Sequence, residues 1–426
     1  MILTIAIHTF REVIRKKVLH VLIGLSILSI LVSPLIPTTD EPDARIKMML
    51  VVFFQVAMLL CIVGVILLSA TSLPKEIEDR TIYGILTKPI SRLEVVAGKI
   101  VGFALLSAVL IGVLSLLHVA AIHRAAAKLP EEYRGILKAR REFKPLQFCI
   151  QGKPHHAREG IAWVEGGRSG VAQWNFPDVF KTQGDTSSLE VEFDLKIESS
   201  RGDIDAVPLV VRIEGADANF GATSVLSAKV DEPLAVKIDP EIVKKSGALL
   251  VTVFPLHTTD YIGVTGEDAK LYSDQKGFVF NYAKAIGITF LKFLLIVTIA
   301  VMASAYLSAP VSILAALVVF LCGHILDFLK DFSLLIQRYD AHEHSLPAAL
   351  EKPNILLVYI DYLIKKPMEW LAVILPDFKR FDCLGFLLKG VNIPVETVGV
   401  ALGYTVLYVG VCLVIASIIF KKREFF

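Results

Sequence analysis

Residues 75–99 read KEIEDRTIYGILTKPISRLEVVAGK, a stretch crowded with charges of both signs and broken by Pro89. Before it runs MMLVVFFQVAMLLCIVGVILLSA (48–70), and after it IVGFALLSAVLIGVLSLLHVAA (100–121). Apolar blocks of about 20 residues, rising 1.5 Å per residue, cross a hydrocarbon core of about 30 Å, so both flanks read as membrane spans. The charged stretch is then a hinge between two spans. Such a connector needs only a few residues, and this one is much longer.

The rest of the chain has the same character. Of its 426 residues 54% are hydrophobic and 20% charged, and the mean hydropathy is +0.62. Six spans are expected, at 18–35, 48–70, 95–121, 285–307, 311–328 and 398–420. The net charge of +2 carries no information about partners. The location of the cations does. Arg11, Arg15, Lys16 and Lys17 precede the first span, Lys75, Arg80, Lys88, Arg92 and Lys99 lie in the hinge, and Lys421, Lys422 and Arg423 follow the last span. All three groups fall on one face when six spans are counted, so that face and both termini are expected to be cytoplasmic. No small-residue cleavage site follows the first apolar stretch, so the first span is expected to remain as an anchor.

Residues 1–17 place Leu3, Ile7, Phe10 and Ile14 at helical spacing, with Thr4, His8, Arg11 and Arg15 on another side. That pattern predicts an amphipathic helix lying in the headgroup region. Between the third and fourth spans, 122–283 changes to strand periodicity. LEVEFDLKI (189–197) alternates strictly, and VPLVVRI, LAVKI and LLVTVFPL repeat the signal between Gly, Asp and Pro turns. A β-sandwich or jelly roll on the outer face follows, reached through a helix over 125–142. Residues 329–397 are read as outer interfacial helices carrying Tyr359, Tyr362 and Trp370, with a further span as the alternative. The expected fold is thus an α-helical polytopic membrane protein of six transmembrane helices with an inserted extracytoplasmic β-sandwich or jelly-roll domain. Its last part, 398–426, is the sixth span and a cytoplasmic tail.

Within the hinge, Pro74 suits a first helical turn, and residues 75–87 have a helical composition that Pro89 ends. Ser91 and Glu94 have the spacing of a capping box opening the next helix. A short charged helix at 74–92 is suited to docking a cytoplasmic partner. A solvated loop is the bland alternative.

The hinge resembles the cytoplasmic loop of permease subunits of ATP-binding-cassette (ABC) transporters of the type-2 exporter class. The resemblance rests on Glu76, Glu78, Arg80, Thr81, Leu86, Lys88, Pro89, Ser91, Arg92, Gly98 and Lys99, and on the tail FKKREFF (420–426). It covers the spans and the hinge, and not the outer β domain. It implies that 74–92 is a coupling helix, with Glu76, Glu78, Arg80, Thr81, Lys88, Pro89, Ser91 and Arg92 meeting a separate cytoplasmic ABC ATPase subunit. It also implies a second permease copy, in the inner membrane of a bacterial or archaeal cell. No GxxxxGK[ST] pattern occurs, so this chain has no P-loop of its own. ATP would be bound by the partner subunit, and this chain is expected to be a transport subunit without a cofactor rather than an enzyme. Two features depart from a minimal member: the large outer insertion, and the short uncharged LSAPVS (307–312), which leaves no second docking helix.

Other residues carry weaker signals. Lys292 is ionisable inside the fourth span and is a candidate for the translocation path. His324 and Asp327 sit one turn apart near the end of the fifth. Asp340, His342 and His344, and His155 with His156, read as surface loops, with zinc or copper binding as the alternative, since neither cluster has a helical HExxH pattern or a clear third and fourth ligand. Trp163 and Trp174 read as core residues of the β domain, with a carbohydrate-stacking platform as the alternative. Cys149 and Cys383 are the only cysteines in polar segments, and a bridge between them is left open. No nucleic-acid partner is expected. Two functions remain: an exporter permease driven by a separate ATPase, or a non-transporting envelope protein whose spans anchor an outer binding or sensory β-sandwich.

Overall fold

The computed structural model describes residues 1–38, 43–80, 91–128, 137–150, 153–154, 161–167, 170–176, 189–201, 205–215, 221–229, 233–239, 248–326 and 375–422. They divide into two compact units. One is helical (Met1–Arg134, Val279–Leu388 and Ile393–Phe426), and the other is Gly135–Phe278 with Lys389–Asn392.

The helical unit begins with α1 (Ile2–Ile14) and α2 (Lys17–Val32), the latter closed by a 3₁₀ turn at Ser33–Leu35. Next comes a nearly continuous helical run: α3 (Ala44–Val51), a π-helical segment (Val52–Ala57), α4 (Met58–Ala70) and α5 (Ser72–Glu78). The unit continues with α6 (Arg92–Ala126), α7 (Phe278–Ser304), α8 (Ala309–His324), α9 (Leu384–Leu388) and α10 (Val395–Lys422). Among the described residues five helical stretches are long and apolar enough to cross a membrane: Lys17–Leu35, Ala44–Glu78, Arg92–Ala126, Phe278–Ser304 and Val395–Ile419. The expected fifth span coincides with α8, an apolar helix of 16 residues.

A membrane interior has no water to satisfy polar groups. The hydroxyls inside these helices therefore turn back onto their own backbones. Ser69 donates to the Val65 carbonyl at 2.6 Å, Ser107 to Phe103 at 2.9 Å and Thr405 to Ala401 at 2.8 Å.

The second unit is all antiparallel apart from one bridge. Its strands are β1 (Lys138–Phe143), β2 (Gln147–Ile150), β3 (Lys153–Pro154), β4 (Ala162–Glu165), β5 (Ala172–Phe176), β6 (Leu189–Phe193) and β7 (Lys196–Ser199). They continue with β8 (Ala206–Gly215), β9 (Gly221–Lys229), β10 (Leu234–Ile238), β11 (Leu249–Pro255), β12 (Asp260–Val264) and β13 (Ala269–Gly277). Among the described residues three sheets form, ordered β1-β13-β6-β10, β3-β2-β5-β11-β8-β9 and β4-β12-β7. Alternate residues point into one core: Leu189, Val191 and Phe193 from β6, Val207, Leu209, Val211 and Ile213 from β8, and Leu249, Val251 and Val253 from β11. Trp174 is completely buried there, stacked on Phe148, and its indole N–H donates to the Thr265 carbonyl at 3.2 Å. Trp163 differs from the expectation: it is 46% exposed on β4, opposite Gly263.

Two expectations, one of a strand and one of a helix, are corrected. LEVEFDLKI is not one strand. The chain breaks at Asp194, whose N–H donates to the Asp268 carbonyl at 2.9 Å, so β6 and β7 join different sheets. Residues 138–143 are not helical either. KARREF has a helix-compatible composition, but pairing with β13 from Lys138↔Gly277 to Phe143↔Leu271 makes it a strand, a tertiary override of propensity. Arg140 of β1 also bonds with the short segment Lys389–Asn392. Its N–H donates to Gly390 at 2.8 Å, and its carbonyl accepts from Asn392 at 2.6 Å. Tyr359, Tyr362 and Trp370, the acid–histidine loops and Asp327 lie outside the described residues. Cys149 and Cys383 are both free thiols.

Asp260, fully buried at the start of β12, accepts from Ser199 at 2.7 Å and from two nitrogens of Arg201. Burial alone would raise its carboxyl pKa, but these hydrogen bonds and the guanidinium charge hold it below the usual carboxylate range. The folded value thus lies under an unfolded value of about 3.9. The stabilisation is complete above that pH and is lost as the pH falls from it through the folded value. Asp260→Asn is expected to cost about 1–3 kcal/mol at neutral pH. Thermal unfolding of wild type and variant, followed from neutral pH into this acid window, should show the two curves converging.

Candidate functional site: the hinge and its anchorage

The hinge grows out of the end of α4. Thr71 closes that helix, its hydroxyl donating to the Leu67 carbonyl at 2.8 Å, and α5 starts at Ser72 with Ser72, Leu73 and Pro74 buried. The short helix therefore begins two residues before Pro74, which occupies its first turn as its missing N–H allows. It also ends earlier than composition implied. Asp79 N–H donates to Lys75 and Arg80 N–H to Ile77, with Arg80 in the left-handed region at φ 56°. A non-glycine residue there closes a helix at a steric cost. Of the expected helical run 75–87, residues 81–87 lie outside the described set, as do Lys88 and Pro89.

The hinge re-enters at Ser91. Glu94 N–H donates to Ser91 Oγ at 3.3 Å, and Ser91 N–H donates to Glu94 Oε2 at 3.0 Å. This is the capping box expected from the spacing, and it fixes the start of α6 at Arg92.

Lys99 was counted with the interfacial cations. Instead it is 1% exposed. Its ammonium donates to Ser72 Oγ at 2.7 Å and to Glu76 Oε1 at 2.6 Å. The two limbs of the hinge are therefore pinned together at their base by a buried ion pair. Glu76, one of the residues expected to face an ATPase, is turned inward to make it. Glu78, Asp79 and Arg80 are exposed.

A second contact braces the same point. Gly98 and Gly102 lie on one face of α6, where α1 crosses. A Cβ on Gly98 would stand 2.8 Å from Ile5 Cβ, and one on Gly102 would stand 2.8 Å from the Ala6 carbonyl oxygen. Only hydrogen fits at this spacing, as in close-packed small-xxx-small helix pairs. Ala6, Thr9 and Val13 are the buried face of α1, whereas Leu3, Ile7 and Ile14 remain exposed.

Inside the helical unit there are two further polar clusters. Helix α7 begins seven residues before the expected 285, so Lys292 sits near its middle. Its Nζ is 2.9 Å from His324 Nε2, and His324 Nδ1 donates to the Phe320 carbonyl at 2.9 Å. His324 thus meets Lys292 of α7 as well as the Phe320 carbonyl of its own helix. The second cluster escaped the sequence reading. His118 of α6, completely buried, donates from Nε2 to the Met49 carbonyl at 3.1 Å and accepts at Nδ1 from the Tyr282 hydroxyl at 2.8 Å. Its ring stacks on Phe53 at 4.1 Å, beside the π-helical segment that shifts the local hydrogen-bond register. A lone ionisable residue in an apolar run was the available signal. An apolar cavity of about 370 Å³ lies between α6, α7 and α10, lined by Ala97, Val101, Ala104, Phe290 and Leu413 among others. Lys292 is not part of its lining.

A run of apolar helices with a β-rich region inserted between them defines a polytopic helical membrane protein. Residues 3–131 match the family model described as ABC-2 family transporter protein. The chain therefore carries an ABC-2 transporter domain, consistent with a permease subunit, which is the transmembrane component of such a transporter and not its ATPase. The match takes in α1 to α6 and the hinge, and stops short of the β-rich region. No curated relative matches the chain.

Removing either partner of the buried pair leaves an uncompensated charge, which costs about 3–5 kcal/mol. Glu76→Leu and Lys99→Met are each expected to lower the unfolding temperature in detergent, and the double variant should recover most of the loss. Gly102→Val should release α1 from α6, read as increased protease access to residues 1–17.

Proposed function

We propose that this chain is the membrane-spanning subunit of an ABC exporter, coupling ATP hydrolysis by a separate cytoplasmic ATPase to export or envelope-assembly work. The observation that carries the reading is the anchorage of the hinge. Lys99, Glu76 and Ser72 join its two limbs, and α1 closes on Gly98 and Gly102 at the same level. A push on the exposed tip would therefore reach two spans and the α1 helix together. A flexible loop would dissipate it.

In this reading the hinge faces the cytoplasm, as do both termini, and the β-rich unit lies outside. Glu78 and Arg80 contact the ATPase together with Thr81, Lys88 and Pro89, while Ser91 and Arg92 set the start of α6. Glu76 positions the helix from within. Two copies enclose the path, and Lys292, paired with His324 in mid-span, is the ionisable side chain placed on it. The ABC-2 family implies an ATPase partner in general, and the exposed charges at the tip fit such a role.

The test is co-purification from the native membrane in mild detergent. Wild type should bring an ABC ATPase with it, and Glu78→Lys combined with Arg80→Glu should lose it. Arg80→Gly keeps the left-handed turn while removing the charge, so it separates docking chemistry from backbone shape. Retention of the ATPase by the charge-reversed variant, or its absence from wild type, would leave the β-rich unit on an inert anchor as the better account.

A further inference from the structure

Trp163 stands apart from Trp174, which the core takes up. It lies on β4, in the sheet β4-β12-β7. Strand alternation sorts this sheet into two faces. Val164, Ile262 and Val264 are buried in the core, with Ile197 packed against it. The other face carries Trp163 and Glu165 from β4, Tyr261 and Gly263 from β12, and Lys196 and Glu198 from β7. Strand pairing sets these residues in two rows. Trp163, Gly263 and Lys196 stand side by side in one, and Glu165, Tyr261 and Glu198 in the next.

The indole lies down across its neighbour. A Cβ on Gly263 would stand 3.1 Å from Trp163 Cη2, an atom at the far end of the indole. A side chain standing perpendicular to the sheet, the usual direction in a strand, would carry that atom away from β12. The ring therefore leans into the space that glycine leaves, and Gly263 is buried beneath it. Trp163 is nevertheless 46% exposed. With one side of the ring against the sheet, the exposed side is its outward π face. Polar groups of both kinds surround it. Glu165 and Glu198 offer acceptors, Lys196 offers donors, and all three are exposed.

We propose that this face binds a neutral glycan, with one pyranose ring stacked on Trp163. The C–H groups on one side of a pyranose carry a slight positive charge and suit the negative π face of an aromatic ring. Its hydroxyls point outward around the ring and both donate and accept, which matches the mixture of Glu165, Glu198 and Lys196. Donation from a hydroxyl to a carboxylate is among the stronger hydrogen bonds. The two rows are about 7 Å apart, so the long glutamate side chains reach hydroxyls of a sugar seated on Trp163 or of the next sugar over Tyr261. Other occupants fit this face less well. A quaternary ammonium would use the same ring but would meet Lys196. An anionic glycan or an anionic lipid surface would meet two carboxylates against one lysine. A protein hot spot sets its aromatic anchor in a desolvated pocket, whereas this ring is bordered by exposed charges. The inference concerns the β-rich unit alone and is independent of the ATPase-coupling reading.

The test uses the full-length chain, purified in a detergent without a sugar headgroup. It is presented to an array of oligosaccharides: neutral hexose and N-acetylhexosamine chains, amine-bearing chains, and uronate- or sulfate-bearing chains. Wild type should retain neutral chains. Titration with those chains should show Trp163→Ala binding about tenfold more weakly, while Trp163→Tyr keeps most of the affinity. Gly263→Val lifts the indole without altering its chemistry, and should weaken binding to a similar extent with the unfolding temperature unchanged. Glu165→Gln combined with Glu198→Gln should cost about fivefold. Retention of no neutral chain, retention of charged chains only, or unchanged binding by Trp163→Ala overturns the proposal. So does quenching of Trp163 by brominated lipid in proteoliposomes, read as the difference from Trp163→Tyr, which would make the face a membrane contact.

Discussion

An ammonium group sealed among apolar helices must have a counter-charge, and much of the hinge follows from how Lys99 finds one. Its partner has to come from the segment that has just left the preceding span, so Glu76 is drawn inward and α5 is held against α6. Such pairs contribute little net stability, because desolvation offsets most of the attraction. Their contribution is specificity of position. With the base fixed, the direction in which Glu78, Asp79 and Arg80 leave the helical unit is fixed too. The left-handed Arg80 turn then ends the helix while those charges are still exposed.

The α1 contact acts on the same few residues by different physics. It is van der Waals packing, made possible by the two glycines of α6 and lost with a single added methyl group. Ion pair and glycine contact flank each other at Gly98, Lys99 and Gly102. An apolar run interrupted there by one lysine and two glycines is thus a joint, with α1 on one side and α5 on the other.

Much of this was legible in the sequence where the signal is local. Helix periodicity, apolar block length and the Ser91–Glu94 spacing each depend on neighbours in the chain, and each leads to the element observed. Strand alternation found the core faces of β6, β8, β10 and β11 for the same reason. What the sequence concealed was long-range. Lys99 looks like one more interfacial cation until Ser72 and Glu76 are placed beside it. Residues 138–143 look helical until β13 is laid alongside them. LEVEFDLKI alternates through Asp194 without a sign that the chain changes sheets. His118 carries a signal of its own, but its two partners come from α3 and α7, far away in the chain. The hinge residues 81–90 stay at the level of the sequence, and their roles are part of the proposal.

The covered edge of β1 has a consequence in time. Arg140 meets a segment beginning at Lys389, 249 residues further along the chain. A ribosome adding about 5–20 residues per second takes roughly 10–50 s to make that stretch. For that interval the rest of the β-rich unit can exist while one of its flanks has no cover. The later spans are made in the same interval, so closure of that flank reports that the chain has been synthesised almost to its last span.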